Sequence, residues 1–232
     1  MKVTKAVRVR DTKQERILRA ARRLFTSQGF EATAIAEIAT EAGVADGSIY
    51  TYFASKRDLL YHVVRGLYDP LIDTLERETR EVSGFANLLR LVILRHLQCM
   101  SRDSDLCLLM LQHIRNEPDY DRSMFHELNR RYASIVVRLI EEAIARGEVK
   151  PSVSPRLVRD MIYGSMEHIA WQSLLRGAEI DAEAVTQELT ALLLPGLLVA
   201  PATPRAADAV VDRLEGLTER MERIFAGTTG GD

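Results

Sequence analysis

Apolar residues along this chain recur every three or four positions, and glycine or proline separates the runs. That period belongs to helices with one buried face, whereas a half-buried strand needs strict alternation. No long alternating run occurs, so the expected fold class is all-α. Ile17, Leu18, Ala21, Leu24 and Phe25 share one face of a helix from Thr12 to Gln28, and Gly29 stands where a C-cap glycine belongs. Thr33 is the expected N-cap of a short helix through Ala42, which Gly43 stops. A second short helix runs from about Ala45 to Thr51. Ser55 caps a longer helix that is kinked or ended near Pro70. Helical segments follow at about 84–101, 104–116 and 120–146, then from Ser154-Pro155 to near Gly177, and from Asp181 to about Val199.

The stretch FEATAIAEIATEAGVADGSIYTYFASKRDLL, residues 30–60, sets two short helices on either side of Ala42-Gly43-Val44. Ile35, Ile38 and Ala39 can pack with Val44, Ile49 and Phe53. Ala39 and Ala42 are small enough for a close crossing, and glycine supplies a turn conformation that is costly for other residues. This is the pattern of a helix-turn-helix, in which the second helix enters a DNA major groove. The charge distribution agrees. Residues 1–60 hold 11 Lys+Arg against 7 Asp+Glu, a net of +4, while residues 61–232 hold 20 against 26, a net of −6. A basic head on an acidic body suits a polyanionic partner at the head.

At these residues the chain resembles the TetR family of bacterial transcription repressors. Leu24-Phe25, Gly29-Phe30, Thr33, Ile38-Ala39, Ala42-Gly43-Val44, Gly47-Ser48-Ile49-Tyr50, Tyr52-Phe53, Ser55-Lys56 and Leu59-Leu60 agree in order and spacing. The resemblance implies an all-α homodimer with an N-terminal three-helix helix-turn-helix DNA-binding domain and a larger helical ligand-binding and dimerisation domain. The expected boundaries are 1–55 and 56–200, with 201–232 as a linker and an additional amphipathic helix. The implied partners are a double-stranded DNA operator, a small apolar effector and a second copy of the chain. Thr33 would offer its hydroxyl and backbone N–H to a phosphate. Ala36, Ala45, Asp46, Gly47 and Ser48 would face the groove, with Ala36 too short to read a base edge. Tyr50, Thr51 and Tyr52 would contact phosphates, sugars or base edges, and Lys56 would clamp a phosphate. Asp46 departs from the family, where a basic residue is common. It either caps the recognition helix, favoured there by the helix dipole, or accepts from a cytosine amine. Lys2, Lys5, Arg8 and Arg10 form an arm that either follows the DNA or is a solvated tail.

A closer resemblance extends along RHLQCMSRDSDL, Arg115, AIARGEVK and RLVRDMIYGSMEHIAW to about residue 195. It is to the acyl-CoA-responsive repressors of fatty-acid metabolism, and it implies an acyl chain in an apolar tunnel. The expected lining is His96, Cys99, Met100, Cys107, Leu111, Arg115, Ile162, Met166 and Trp171. Arg102, Arg115 and Arg131 are the candidates for the coenzyme phosphates. By the same resemblance the last two helices of the body would pair with their symmetry mates through Met161, Ser165, Ile169, Leu189 and Leu193.

Other classes find little support. There is no nucleophile elbow, P-loop or GxGxxG, so no enzyme and no cofactor is expected. His96 and Cys99 lie three apart on one helix, but further metal ligands are not obvious, and both cysteines read as small apolar residues. Two cysteines make no disulfide scaffold, the N-terminus lacks the apolar core of a secretory signal, and no apolar run spans a bilayer; a cytoplasmic location and no membrane partner are expected. Beyond Pro201–Pro204, the residues Val210, Leu214, Leu217, Met221 and Ile224 form a two-heptad stripe. That segment either packs as a helix on the body or a partner subunit, stands as a coiled-coil module, or is disordered. The alternative functions are a DNA-binding regulator controlled by a protein partner through it, and an all-α small-molecule carrier or enzyme with an incidental basic head.

Overall fold

Thr12 opens the first helix through a reciprocal cap. Its hydroxyl accepts from the Glu15 N–H at 3.2 Å, and the Glu15 carboxylate accepts from the Thr12 N–H at 2.7 Å. The computed structural model describes residues 11–114, 119–176 and 178–199. Helix α1 spans Lys13–Gln28 and α2 spans Ile35–Ala42. The N-cap of α2 is Ala34, not Thr33, and the Glu37 carboxylate closes the turn by accepting from the Ala34 N–H at 2.8 Å. Gly43 then adopts φ +64°, and the Val44 N–H reaches back to the Ala39 carbonyl at 3.0 Å. This left-handed stop needs glycine. A 3₁₀ turn, Asp46–Ser48, leads into α3, Ile49–Tyr52.

Helix α4 runs Lys56–Glu81 with Pro70 inside it, so it does not end there. A proline inside a helix costs about 3 kcal/mol. Leu67 before it and Ile72 and Leu75 after it are buried, and each such burial contributes roughly 1.5–3 kcal/mol. Packing on both sides therefore holds the two halves in one helix.

Helix α5 is Phe85–Arg102 and α6 is Ser104–Leu109, which passes into a π-helical turn, Met110–Ile114. Helices α7 (Met124–Ala145), α8 (Pro155–Leu175) and α9 (Ala182–Leu197) complete the described part of the body. Among the described residues there is no β-strand, and the fold is all-α. Helix α5 packs against α4, α7, α8 and α9, while α1 packs against α2, α4 and α6. The body core joins Val92, Ile93 and Leu97 of α5 to Ile135, Val136 and Ile140 of α7 and Ile162, Met166 and Ala170 of α8. Thr186 and Thr190 are buried on α9 because their hydroxyls donate to carbonyls one turn back. The basic arm, Arg115 and the segment from residue 200 on lie outside the described residues.

Candidate functional site

Ile49 and Phe53 are buried, as are Ile38 and Ala39 of α2, and this fixes which face of the turn and α3 looks outward. That face carries Tyr50, 59% exposed, and Tyr52, 42% exposed. Ala36, Ala45, Asp46, Gly47 and Thr51 are exposed beside them, and Ser48 is half-buried. Two aromatic rings held in solvent on a short rigid element are poor for stability and good for stacking against sugars or reaching phosphates. Ala45 is the N-cap of the turn and makes no side-chain hydrogen bond. Asp46 therefore does not cap through its side chain; it stands in the first turn, where only its charge favours it. Thr33 is 2% exposed, and its hydroxyl donates to the Gly29 carbonyl at 2.7 Å. That hydroxyl faces inward and ties α1 to α2, so it is not presented to a phosphate. Lys56 Nζ donates to the Glu31 carbonyl at 3.1 Å and lies 4.5 Å over the Phe30 ring. The ammonium is thus pre-placed at the edge of this face.

A cavity of about 240 Å³ opens among α4, α5, α6, α7 and α8, just below the ~300–1,000 Å³ usual for small-molecule sites. His96, Cys99, Met100, Cys107 and Leu111 meet there, as the sequence suggested. Ile162, Met166 and Trp171 do not line it. Helix α8 turns Arg159, Tyr163 and Glu167 to the cavity and sends Ile162 and Met166, one row away, into the core. Leu67, Tyr68 and Leu71 of α4 and Asn129, Arg130, Tyr132 and Ala133 of α7 form walls that sequence reasoning missed. Asn129 and Arg130 are polar in the sequence and give no signal of a wall, whereas Tyr132 lies on the buried apolar side of α7 with Leu128, Ile135 and Val136. The cationic side chains at the cavity also differ from expectation. Arg131 is exposed and binds Asp69 at 3.3 Å, and Arg102 binds Asp103 at 2.8 Å. Arg130, paired to Glu127 at 2.8 Å, and Arg159, paired to Asp160 at 2.8 Å, line the cavity instead.

Burial lowers the His96 pKa to about 4, so the ring is neutral at pH 7. Its Nδ1 is paired with the Tyr132 hydroxyl at 2.8 Å, and the two rings stack at 5.6 Å. Burial raises the phenols of Tyr132 and Tyr163 above their ordinary range. It also pushes the Cys99 thiol to about 11 and Cys107 to about 12, which keeps both protonated and unreactive. Among the described residues no three His, Cys, Asp or Glu side chains gather as a metal site.

Asp103 sits between α5 and α6, with Cys99 and Met100 of the cavity wall before it and Cys107 after it. Arg22 of α1 donates to its Oδ1 at 2.5 Å, and Arg102 donates to its Oδ2 at 2.8 Å. Burial pushes this carboxyl up, but the two guanidinium groups outweigh it and leave it below the usual carboxylate range. One carboxylate therefore grips both the first helix of the head and the turn between two helices that wall the cavity.

On α8, Leu157 and Met161 are 60% and 51% exposed, and on α9 Leu192 is 78% exposed. Ser165, Ile169, Leu189 and Leu193 are half-buried, and the Ser165 hydroxyl donates within its own helix to the Met161 carbonyl. Leu157 and Leu192 were not singled out in the sequence, although they extend this apolar face. Among the described residues no helix is long and apolar enough to cross a membrane.

An outward recognition helix on a three-helix head, continued by a helical body around an apolar cavity, defines a DNA-binding transcription regulator. Residues 17–63 match the tetR family of bacterial regulatory proteins, and residues 67–196 match the C-terminal region of the YsiA-like proteins; the chain belongs to the TetR family. It is 28% identical over 185 residues to the fatty acid metabolism regulator protein of Bacillus subtilis, covering 80% of this chain and 95% of that one. It is 24% identical over 197 residues to the HTH-type transcriptional repressor KstR2 of Mycolicibacterium smegmatis, covering 80% and 91%. The crystal structure of the regulator FadR from Bacillus subtilis in complex with stearoyl-CoA superimposes with a TM-score of 0.72 at 28% identity, over 78% of this chain and 97% of that one. These relatives are regulators, not enzymes.

Proposed function

We propose that the protein is a homodimeric repressor that acts in the cytoplasm and leaves a pseudo-palindromic operator when an acyl-CoA fills the cavity. Residues 1–55 belong to the head and 56–200 to the sensing and dimerising body. The face of Ala36, Ala45–Ser48 and Tyr50–Tyr52, with Lys56 at its edge, meets the DNA. The backbone N–H groups at the start of α2, with Thr33 as a buried brace, serve a phosphate. The apolar face of Met161, Ser165, Ile169, Leu189 and Leu193, extended by Leu157 and Leu192, pairs with its symmetry mate, since rings of apolar surface this exposed are unusual on a monomer. Two recognition helices about 34–36 Å apart then read successive major grooves.

The observation that carries the reading is the Asp103 junction. The turn that holds α1 joins Cys99 and Met100 on one side to Cys107 on the other, and all three line the cavity. An occupant that displaces this turn favours a state in which the heads are differently placed, and it does so only as far as it binds that state better. The apolar lining and the likeness to a regulator solved with stearoyl-CoA support an acyl thioester as that occupant, with Arg130 and Arg159 nearest for its phosphates.

Native mass spectrometry of the purified protein tests the assembly and the occupant together. A dimer carrying the added mass of an acyl-CoA is expected. DNA selected by the protein from a random library is then titrated with and without acyl-CoAs of several lengths. A weakening of at least about 5-fold by one of them is expected from a coupling of ~1–3 kcal/mol. A monomer, or DNA affinity indifferent to every length, overturns the proposal.

A further inference from the structure

The cavity wall is unlike one built for a plain hydrocarbon. On one side Tyr68, His96, Tyr132 and Tyr163 form a run of touching rings: His96 packs edge-to-face on Tyr163 at 5.1 Å, Tyr132 tilts against Tyr163 at 5.4 Å, and Tyr68 meets Tyr132 at 5.5 Å. All four line the cavity. Within this cluster Tyr132 is paired to His96 Nδ1, and the Tyr68 hydroxyl donates to Asn129 Oδ1 at 3.3 Å. Two polar atoms are left over. His96 Nε2 is without a partner, and the Tyr163 hydroxyl comes near Tyr132 without hydrogen-bond geometry. Neither reaches solvent.

A buried polar group without a partner is destabilising, and native interiors rarely keep one unless something else satisfies it. Here two belong to touching rings that line one cavity. We infer that the effector brings an oxygen to His96 Nε2 and the Tyr163 hydroxyl, so that the cavity selects an acyl group with a buried carbonyl or hydroxyl oxygen over a plain alkyl chain. The chemistry suits such an oxygen. The neutral imidazole presents Nε2 as donor or acceptor according to its tautomer, and the Tyr163 hydroxyl does either. The oxygen is the thioester carbonyl itself or a 3-oxo or 3-hydroxy group on the chain. This inference rests on the acyl-CoA reading only for the molecule that carries the oxygen.

Tyr163→Phe removes one of the two atoms and keeps the ring. Because it deletes an unsatisfied hydroxyl, its melting temperature without ligand is expected to be no lower than that of the unaltered protein. Calorimetric titration of both proteins uses dodecanoyl-CoA, its 3-hydroxy and 3-oxo derivatives, and the thioether S-dodecyl-CoA, which lacks every acyl oxygen. The unaltered protein is expected to bind at least one oxygen-bearing thioester about tenfold more tightly than the thioether, and Tyr163→Phe to bind them alike. Equal affinity for the plain and substituted thioesters assigns the oxygen to the thioester carbonyl; a preference for the substituted ones assigns it to the chain. Titration with 2-octanone and 2-octanol supplies the oxygen without the coenzyme. If no CoA derivative binds but these two prefer the unaltered protein to Tyr163→Phe, the acyl-CoA reading falls and this inference stands. If every oxygen-bearing probe binds both proteins equally, binds no better than the thioether, or binds neither protein, the inference is overturned.

Discussion

Replacing Asp103 by asparagine removes the charge that two arginines share while keeping the shape of the side chain. Hydrogen bonds to charged groups contribute about 1.5–3 kcal/mol each when well shielded. The Asp103 side chain is only 9% exposed, but Arg22 is 44% and Arg102 is 72% exposed. Solvent screening therefore reduces the Arg102 contact to roughly 0.2–1 kcal/mol and discounts the Arg22 contact as well. Asparagine also retains one acceptor oxygen. The net expectation is a loss of about 1–2 kcal/mol, or a fall of about 2–8 °C in melting temperature for a chain of this size. The sign with pH follows from the lowered carboxyl. Its contribution is fully present above the ordinary value of 3.8 and is lost as pH falls through the folded-state value beneath it. Differential scanning calorimetry at pH 7, 5 and 3 is expected to show the same deficit for Asp103→Asn at the first two pH values and a smaller one at the third. A double-mutant cycle with Arg22→Gln is expected to return an interaction energy of at least ~0.5 kcal/mol. An unchanged melting temperature, a deficit that persists undiminished at pH 3, or strict additivity with Arg22→Gln would refute the reasoning.

The remaining predictions concern the outward faces. Tyr50→Ala is expected to shift stability by no more than about 0.5 kcal/mol, because the ring is exposed, yet to weaken DNA binding in fluorescence anisotropy; unaltered DNA affinity removes Tyr50 from the interface. Lys56→Ala is expected to weaken binding similarly for all sequences and to reduce the salt dependence by about one phosphate contact, so a salt slope equal to that of the unaltered protein counts against the clamp. Leu192→Asp, at a site 78% exposed in the single chain, is expected to yield monomers in sedimentation, as are charged substitutions at Ser165 or Ile169. A dimeric mass for all three would place the dimer contact elsewhere.

The head was legible because its signals are local. Gly43 at a left-handed stop, Ser55 at an N-cap and the burial of Ile49 and Phe53 each follow from residues within one or two turns. The misplacement of one residue at Thr33 has a tertiary cause, since its hydroxyl bonds to Gly29 across the α1–α2 corner. The helix does not end at Pro70 for a similar reason, because long-range packing outweighs a local breaker. The cavity was half legible. Five lining residues on α5, α6 and the π turn were found in a segment rich in soft apolar residues. On α8 the row through Ile162 and Met166 is apolar, whereas the row that faces the cavity carries Arg159, Tyr163 and Glu167 and looks like a polar surface until α4 and α7 are placed around it. The wall on α7 was hidden because Asn129 and Arg130 look like surface residues until α4 and α8 are placed around them.

The unbroken course of α4 has a mechanical meaning. Twenty-six residues at ~1.5 Å each make a rod about 39 Å long. Leu67 and Leu71 touch the cavity, and Lys56 lies roughly 17–23 Å further along the same axis. Pivoting the rod by about 5° at the cavity end would sweep its head end through roughly 1.5–2 Å, about half the ~3.4 Å of DNA axis per phosphate of one strand. A helix interrupted at Pro70 would have absorbed such a pivot as bending. An unbroken helix would instead carry it as a lever, and a change too small to matter inside the body would become a mismatch of register at the DNA.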